Sequence, residues 1–164
     1  TGFMASGKTY WGRRVAEHCS LPFIDLDEAC ETTSGITIPE YFDRFGELAF
    51  RKLETEVLGK VASLNTPHVI ACGGGTPCSL QNKASMMQHG YLILIQEETE
   101  IILQRLELQH AHRPLLATLN KQQLRERVIQ LMEERKPCYS NYHFLFRPSS
   151  MEATTFVSFI LNHV

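Results

Sequence analysis

Residues 2–9, Gly2-Phe3-Met4-Ala5-Ser6-Gly7-Lys8-Thr9, satisfy G-x-x-x-x-G-K-[ST] at every fixed position. In that pattern backbone N–H groups wrap a row of nucleotide phosphates, the lysine ammonium reaches the β and γ groups, and the threonine hydroxyl is a ligand for Mg²⁺. Trp11, Val15 and Ala16 follow at helical spacing, so the loop is expected to feed a helix whose N-terminus favours anions. A loop of this kind also takes a strand from upstream. The sequence begins at Thr1, and the expectation is that this central strand precedes it. Phosphate binding by itself names no reaction.

Outward from the loop, residues 22–25, 68–72 and 91–95 read as short strands bounded by turn chemistry, with a weaker fourth at 143–147. Helical patterns lie between them. Phe50, Leu53, Val57 and Val61 recur at spacings of three and four, which lays one apolar stripe along a helix over 47–64. Further helices are expected at 7–19, 80–88, 97–108, 122–136 and 151–161. Strands alternating with helices predict a parallel sheet covered on both faces. In such a sheet ligands gather at the carboxyl ends of the strands. Phe23-Ile24-Asp25-Leu26-Asp27 ends a strand with two carboxylates one residue apart, and alternation would point both to the same side. That pair either serves the phosphate cradle or caps the next helix.

The bulk properties limit the partners. A chain of 164 residues, 43% apolar, suits one domain that buries roughly 68–70% of its unfolded surface. Sixteen Lys plus Arg against eighteen Asp plus Glu leave a charge of −2, so no overall field draws it to nucleic acid or anionic lipid. No apolar run approaches the length of a membrane span, and no secretory pattern opens the chain. Cys19, Cys30, Cys72, Cys78 and Cys138 lack C-x-x-C spacing, and read as reduced, mostly buried thiols in the cytoplasm.

Four more pieces follow in order: Phe50-Arg51-Lys52-Leu53-Glu54, Gly73-Gly74-Gly75, His112-Arg113-Pro114-Leu115-Leu116 and Glu134-Arg135-Lys136-Pro137-Cys138-Tyr139. With the phosphate loop, this set resembles shikimate kinase, from the first residue to about Tyr139 and more loosely beyond. The resemblance implies a single domain over 1–164 with the fold of the P-loop nucleoside-monophosphate kinases. That fold is a three-layer α/β/α sandwich on a five-stranded parallel sheet. It implies transfer of the γ-phosphoryl of ATP to the 3-hydroxyl of shikimate, an acceptor-binding region at about 27–64, and a lid at about 107–118 that closes over ATP. A monomer is expected.

Roles follow by the same resemblance. Ala5, Ser6, Gly7, Lys8, Thr9 and Tyr10 would hold the nucleotide, Arg105 would contact adenine, and Lys8 and Arg113 would meet the phosphoryl charge. Thr9 would ligate Mg²⁺, with Asp25 acting through water, and Asp27 would hydrogen-bond the acceptor hydroxyl and take its proton. Guanidinium forks suit a planar carboxylate, and Arg51 and Arg135 are the matching pair. Glu54, three residues beyond Arg51, is placed to steady it. Gly73, Gly74 and Gly75 would let backbone approach the substrate ring, with Phe42 and Phe50 as an apolar wall. His110 and His112 have no third ligand nearby and read as lid side chains. Ala5 stands where the family usually has glycine, Tyr10 where a small hydroxyl residue is common, and Thr76 where alanine is usual. Two other readings stay open: a related gluconate or nucleoside-monophosphate kinase, and a catalytically silent nucleotide-binding module. The latter has no use for Lys8, Thr9, Asp25, Asp27 and Arg113 together.

Overall fold

The computed structural model describes residues 1–109, 116, 118–149 and 152–161. Four strands alternate with helices: α1 (Lys8–Cys19), β1 (Phe23–Asp25), α2 (Leu26–Ser34), α3 (Ile38–Ala62), β2 (Val69–Ala71), α4 (Leu80–His89), β3 (Ile93–Ile95), α5 (Thr99–Gln109), α6 (Lys121–Arg135), β4 (Phe144–Phe146) and α7 (Ala153–Leu161). Both pairings are parallel. Phe23 lies opposite Val69 in the first pair and Ile93 opposite Phe144 in the second. Parallel neighbours need long crossovers, and helices α2 and α3 supply one while α5 and α6 supply the other. On the edge of β3 away from β4, Thr1 N–H donates to Ile93 O (2.7 Å) and Ile95 N–H to Thr1 O (2.8 Å).

Among the described residues all four expected strands form, in two parallel pairs, and the chain is mixed α/β as expected. The helices differ more. Helix α2, not among the expected helices, follows β1 at once, because the Asp25 side chain accepts from Asp27 N and caps a helix there. Helix α3 begins nine residues before 47, at Ile38. Its start is a capping box in which Thr37 and Glu40 bond each other's backbone N–H, with Pro39 in the first turn. Gly46, at φ 78 and ψ 170, breaks it into two pieces, a backbone state that glycine alone enters cheaply. The second piece is the amphipathic stripe read from sequence.

Three apolar clusters fasten the helices to the strands. Phe3 and Met4 of the phosphate loop pack with Ile102, Leu103 and Leu106 of α5 and Leu124, Val128 and Leu131 of α6. Leu26, Cys30, Phe50, Val57, Leu58 and Cys72 join α2, α3 and the end of β2. Phe146 stacks on Phe156 at 4.2 Å between ring centroids and meets the edge of Trp11 at 5.0 Å, which ties β4, α7 and α1 together. Leu26, Leu58, Leu106 and Phe146 are all at most 1% exposed, so truncating any one to alanine costs about 2–5 kcal/mol.

The cysteine expectation holds for three positions and fails for two. Burial pushes the Cys30 thiol up to about 12 and the Cys72 thiol up to about 11, so both stay protonated near neutrality, and Cys19 is also free. Cys78 and Cys138 instead form a disulfide, with Cα atoms 4.7 Å apart. They are 60 residues apart in sequence, so only the packing of two 3₁₀ turns, Thr76–Cys78 and Lys136–Tyr139, brings them together. Among the described residues no helix is long and apolar enough to cross a membrane.

Candidate active site

The phosphate loop is held from below by side chains and leaves its backbone to the cavity. Phe3 and Met4 are buried in the α5/α6 cluster, Ser6 N–H donates to Phe3 O (3.2 Å), and Gly7 sits at φ 91 as the N-cap of α1. Lys8 Nζ donates back to Phe3 O (2.9 Å), so its ammonium lies over the loop. Ala5, Gly7, Lys8, Thr9, Tyr10 and Arg105 all line a cavity of about 600 Å³. Ser6 is fully buried and does not. Although the Arg105 side chain is 41% exposed, its guanidinium donates to Ala5 O (2.9 Å) and to Glu97 (3.0 Å) and so braces the loop from α5.

A second cavity, of about 700 Å³, opens beside the first. The two share Met4, Thr9, Asp25, Asp27 and Gly74. At that junction Thr9 Oγ1 donates to Asp25 Oδ2 (2.7 Å), while Asp25 Oδ1 accepts from Asp27 N–H (3.0 Å). Asp25 therefore both caps α2 and faces the cradle. Among the described residues no group of three or more His, Cys, Asp or Glu is arranged to hold a metal. One hydroxyl and one carboxylate suit Mg²⁺, which takes hard oxygen donors and keeps waters and phosphate oxygens as its remaining ligands.

Arg51, Arg135, Phe42, Phe50 and the three glycines line the second cavity. Glu54, buried at 1% exposure, accepts from Arg51 NH1 (2.9 Å) and from Thr76 Oγ1 (2.7 Å), while the more exposed Glu47 accepts from Arg51 NH2 (3.0 Å). Burial works to lower the Arg51 pKa, but the two glutamates outweigh it and hold the group above its ordinary value. A Cβ on Gly75 would lie 2.7–2.8 Å from the Arg51 guanidinium, so only glycine lets that plane lie flat on the loop. Behind the glycines, the Tyr139 phenol donates to Gly74 O (2.6 Å). Burial pushes that phenol up to about 12, against the lowering effect of Arg135, so it remains a donor at neutral pH.

Every described residue given a site role from sequence, apart from Ser6, thus lines one of two adjoining cavities. Arg113, His110 and His112 lie outside the described residues, as does most of the expected lid. The supporting residues Thr76, Tyr139 and the Cys78–Cys138 pair escaped sequence reasoning as site residues. Tyr139 had a signal, its place at the end of the Arg135 segment, whereas the partner of Thr76 is 22 residues away.

Comparison with known proteins agrees with this geometry. The family model described as "Shikimate kinase" matches residues 4–164. A shikimate kinase of Mesorhizobium japonicum is 39% identical over 139 residues, covering 85% of this chain and 66% of that protein, so the chain spans just under two thirds of that relative. One from Bacteroides thetaiotaomicron is 34% identical over 93% of this chain and 86% of its own length. A shikimate kinase from Acinetobacter baumannii, solved in complex with shikimate, superposes with a TM-score of 0.87 at 32% identity, covering 98% of this chain and 87% of that one. The chain belongs to the shikimate kinase family.

Proposed function

We propose that the protein transfers the γ-phosphoryl of ATP to the 3-hydroxyl of shikimate. The observation that carries this reading is the junction of the two cavities at Thr9, Asp25, Asp27 and Gly74. One cavity has a phosphate cradle for its wall and the other has two guanidinium groups, so a nucleotide and a carboxylate-bearing acceptor would meet there. Membership of the family and the likeness to a kinase solved with shikimate support the choice of acceptor.

Phosphoryl transfer asks the protein to align two oxygens and to offset charge on the moving group. Lys8 is a cation of the loop itself, and phosphate oxygens would displace its bond to the neutral acceptor Phe3 O. Arg51 and Arg135 hold the acceptor carboxylate, which orients the ring and its hydroxyl toward Asp27. As the bond from the acceptor oxygen to phosphorus forms and the bond from phosphorus to the leaving ADP oxygen breaks, the hydroxyl proton passes to the Asp27 carboxylate. Thr9, with Asp25 through water, would hold Mg²⁺, whose charge when bound offsets that of the phosphates. Arg113, from the lid at about 107–118, adds a second cation, and lid closure excludes water that would hydrolyse ATP. ATP as donor supports a cytoplasmic site of action, and the reading takes the protein to work as a monomer.

Coupled ADP release with shikimate, D-gluconate and a nucleoside monophosphate as alternative acceptors tests the reading. Turnover with shikimate well above the other two is expected. Preference for either alternative, or no acceptor-dependent turnover, would contradict it.

A further inference from the structure

Thr76 is completely buried on the 3₁₀ turn that follows the three glycines, yet its side chain is polar and makes one short bond, from Oγ1 to Glu54 Oε1 at 2.7 Å. Glu54 comes from α3 and is itself buried. Its other oxygen, Oε2, accepts from Arg51 NH1 at 2.9 Å. The carboxylate is therefore divided: one oxygen belongs to the hydroxyl and the other to the guanidinium. Gly73 packs closely against this pair, since a Cβ there would lie 3.1 Å from Thr76 Oγ1, 3.0 Å from Glu54 Oε1 and 2.9 Å from Asp27 Oδ1.

We propose that Thr76 is a positioning residue of the acceptor site, which acts through Glu54 to hold the Arg51 guanidinium where it can receive a substrate carboxylate. A carboxylate with both oxygens free pairs with arginine as a two-bond fork. Without the Thr76 hydroxyl, Glu54 Oε1 has lost its donor inside the protein, where an unpaired acceptor is costly, and turning toward Arg51 is the way to regain one. That movement draws the guanidinium onto Glu54 and takes from the cavity a donor meant for the acceptor. Glu47 cannot substitute as the anchor, because its side chain is 47% exposed and such contacts are weak. In this chain, at a position where the family usually has alanine, a buried hydroxyl keeps the internal partner of Arg51 half occupied.

The inference rests on the reading of Arg51 as a carboxylate contact, and the experiment separates the two. Steady-state rates would be measured with ATP and shikimate for the unmodified protein, Thr76→Val, Thr76→Ser, Arg51→Ala and the double variant Thr76→Val/Arg51→Ala. Thr76→Val keeps the shape and removes the hydroxyl, so the shikimate KM should rise about tenfold, the equivalent of one lost buried hydrogen bond. The turnover number and the ATP KM should stay near their unmodified values, and Thr76→Ser should restore the shikimate KM. If Thr76 acts through Arg51, the double variant should bind shikimate no worse than Arg51→Ala alone. Should Thr76→Val fail to fold, Thr76→Ala takes its place with the same expected pattern. An unchanged shikimate KM in a folded Thr76 variant, a loss shared equally by the ATP KM, or a further loss in the double variant would overturn the inference while leaving the proposed function standing. Absence of shikimate-dependent turnover in the unmodified protein would overturn both.

Discussion

The phosphate cradle and the acceptor cavity share a boundary but are built in opposite ways. The cradle is essentially eight consecutive residues, 2–9, shaped by backbone and pinned by Phe3 and Met4 in the core. The acceptor cavity is assembled from four distant segments, around Asp27, Arg51, Gly74 and Arg135, and is held by contacts between segments: Thr76 to Glu54, Tyr139 to Gly74 across 65 residues, and Cys78 to Cys138 across 60. A site made of one segment carries its chemistry in its order of residues. A site made of four depends on packing, and damage to its supports should appear in acceptor binding before it appears in ATP binding.

The largest effect is expected on the cradle side. Lys8→Ala should remove nearly all turnover while leaving a cooperative fold, since the ammonium donates to a loop carbonyl, Phe3 O, and serves phosphates rather than the core; thermal unfolding and ADP release measured together check this. Arg113→Ala should follow, with a fall of ~10³–10⁵ in turnover number if the guanidinium meets the transferring group as an arginine finger does. An unchanged turnover number would remove Arg113 from the chemistry. On the acceptor side, Arg51→Ala or Arg135→Ala should cost on the order of 2–5 kcal/mol in acceptor binding, the range for a buried charge left without its partner.

Smaller effects sharpen the contrast. Reduction of the Cys78–Cys138 disulfide, or Cys138→Ser, should lower stability by about 2–4 kcal/mol, because the bond closes a long loop. It should also raise the shikimate KM more than the ATP KM, since both cysteines sit on turns that carry the acceptor wall. Denaturant unfolding with and without reductant, alongside the two KM values, is the measurement. Ala5→Gly should be the mildest. Ala5 is held at φ 59, a left-handed state that glycine adopts without penalty, so the change should raise stability by about 1 kcal/mol and leave shikimate affinity alone.

What could be read from the sequence follows the same division. The motif over residues 2–9 was sufficient for the cradle, and strand chemistry found all four strands because each is a short apolar run between turn residues. Helix α2 was hidden, since Asp25 and Asp27 look alike at a strand end until the Asp25 cap turns the chain at Leu26. The first half of α3 was missed although Thr37 and Glu40 spell a capping box. In the acceptor cavity, Arg51 and Arg135 were reached only through the family resemblance. The role of Thr76 and the disulfide could not be reached, because the partner that gives each its meaning is far away in sequence and adjacent only after folding.

The account's central claim is that the second cavity receives a carboxylate through Arg51 and Arg135. Affinity for shikimate and for its neutral carboxamide, measured by calorimetry on the unmodified protein, Arg51→Ala and Arg135→Ala, tests it most directly. The acid should bind the unmodified protein far better than the amide, each arginine variant should lose most of that advantage, and affinity for the amide should change little. Equal losses for the acid and the amide would show that the two arginines only support the structure, and would contradict the carboxylate clamp.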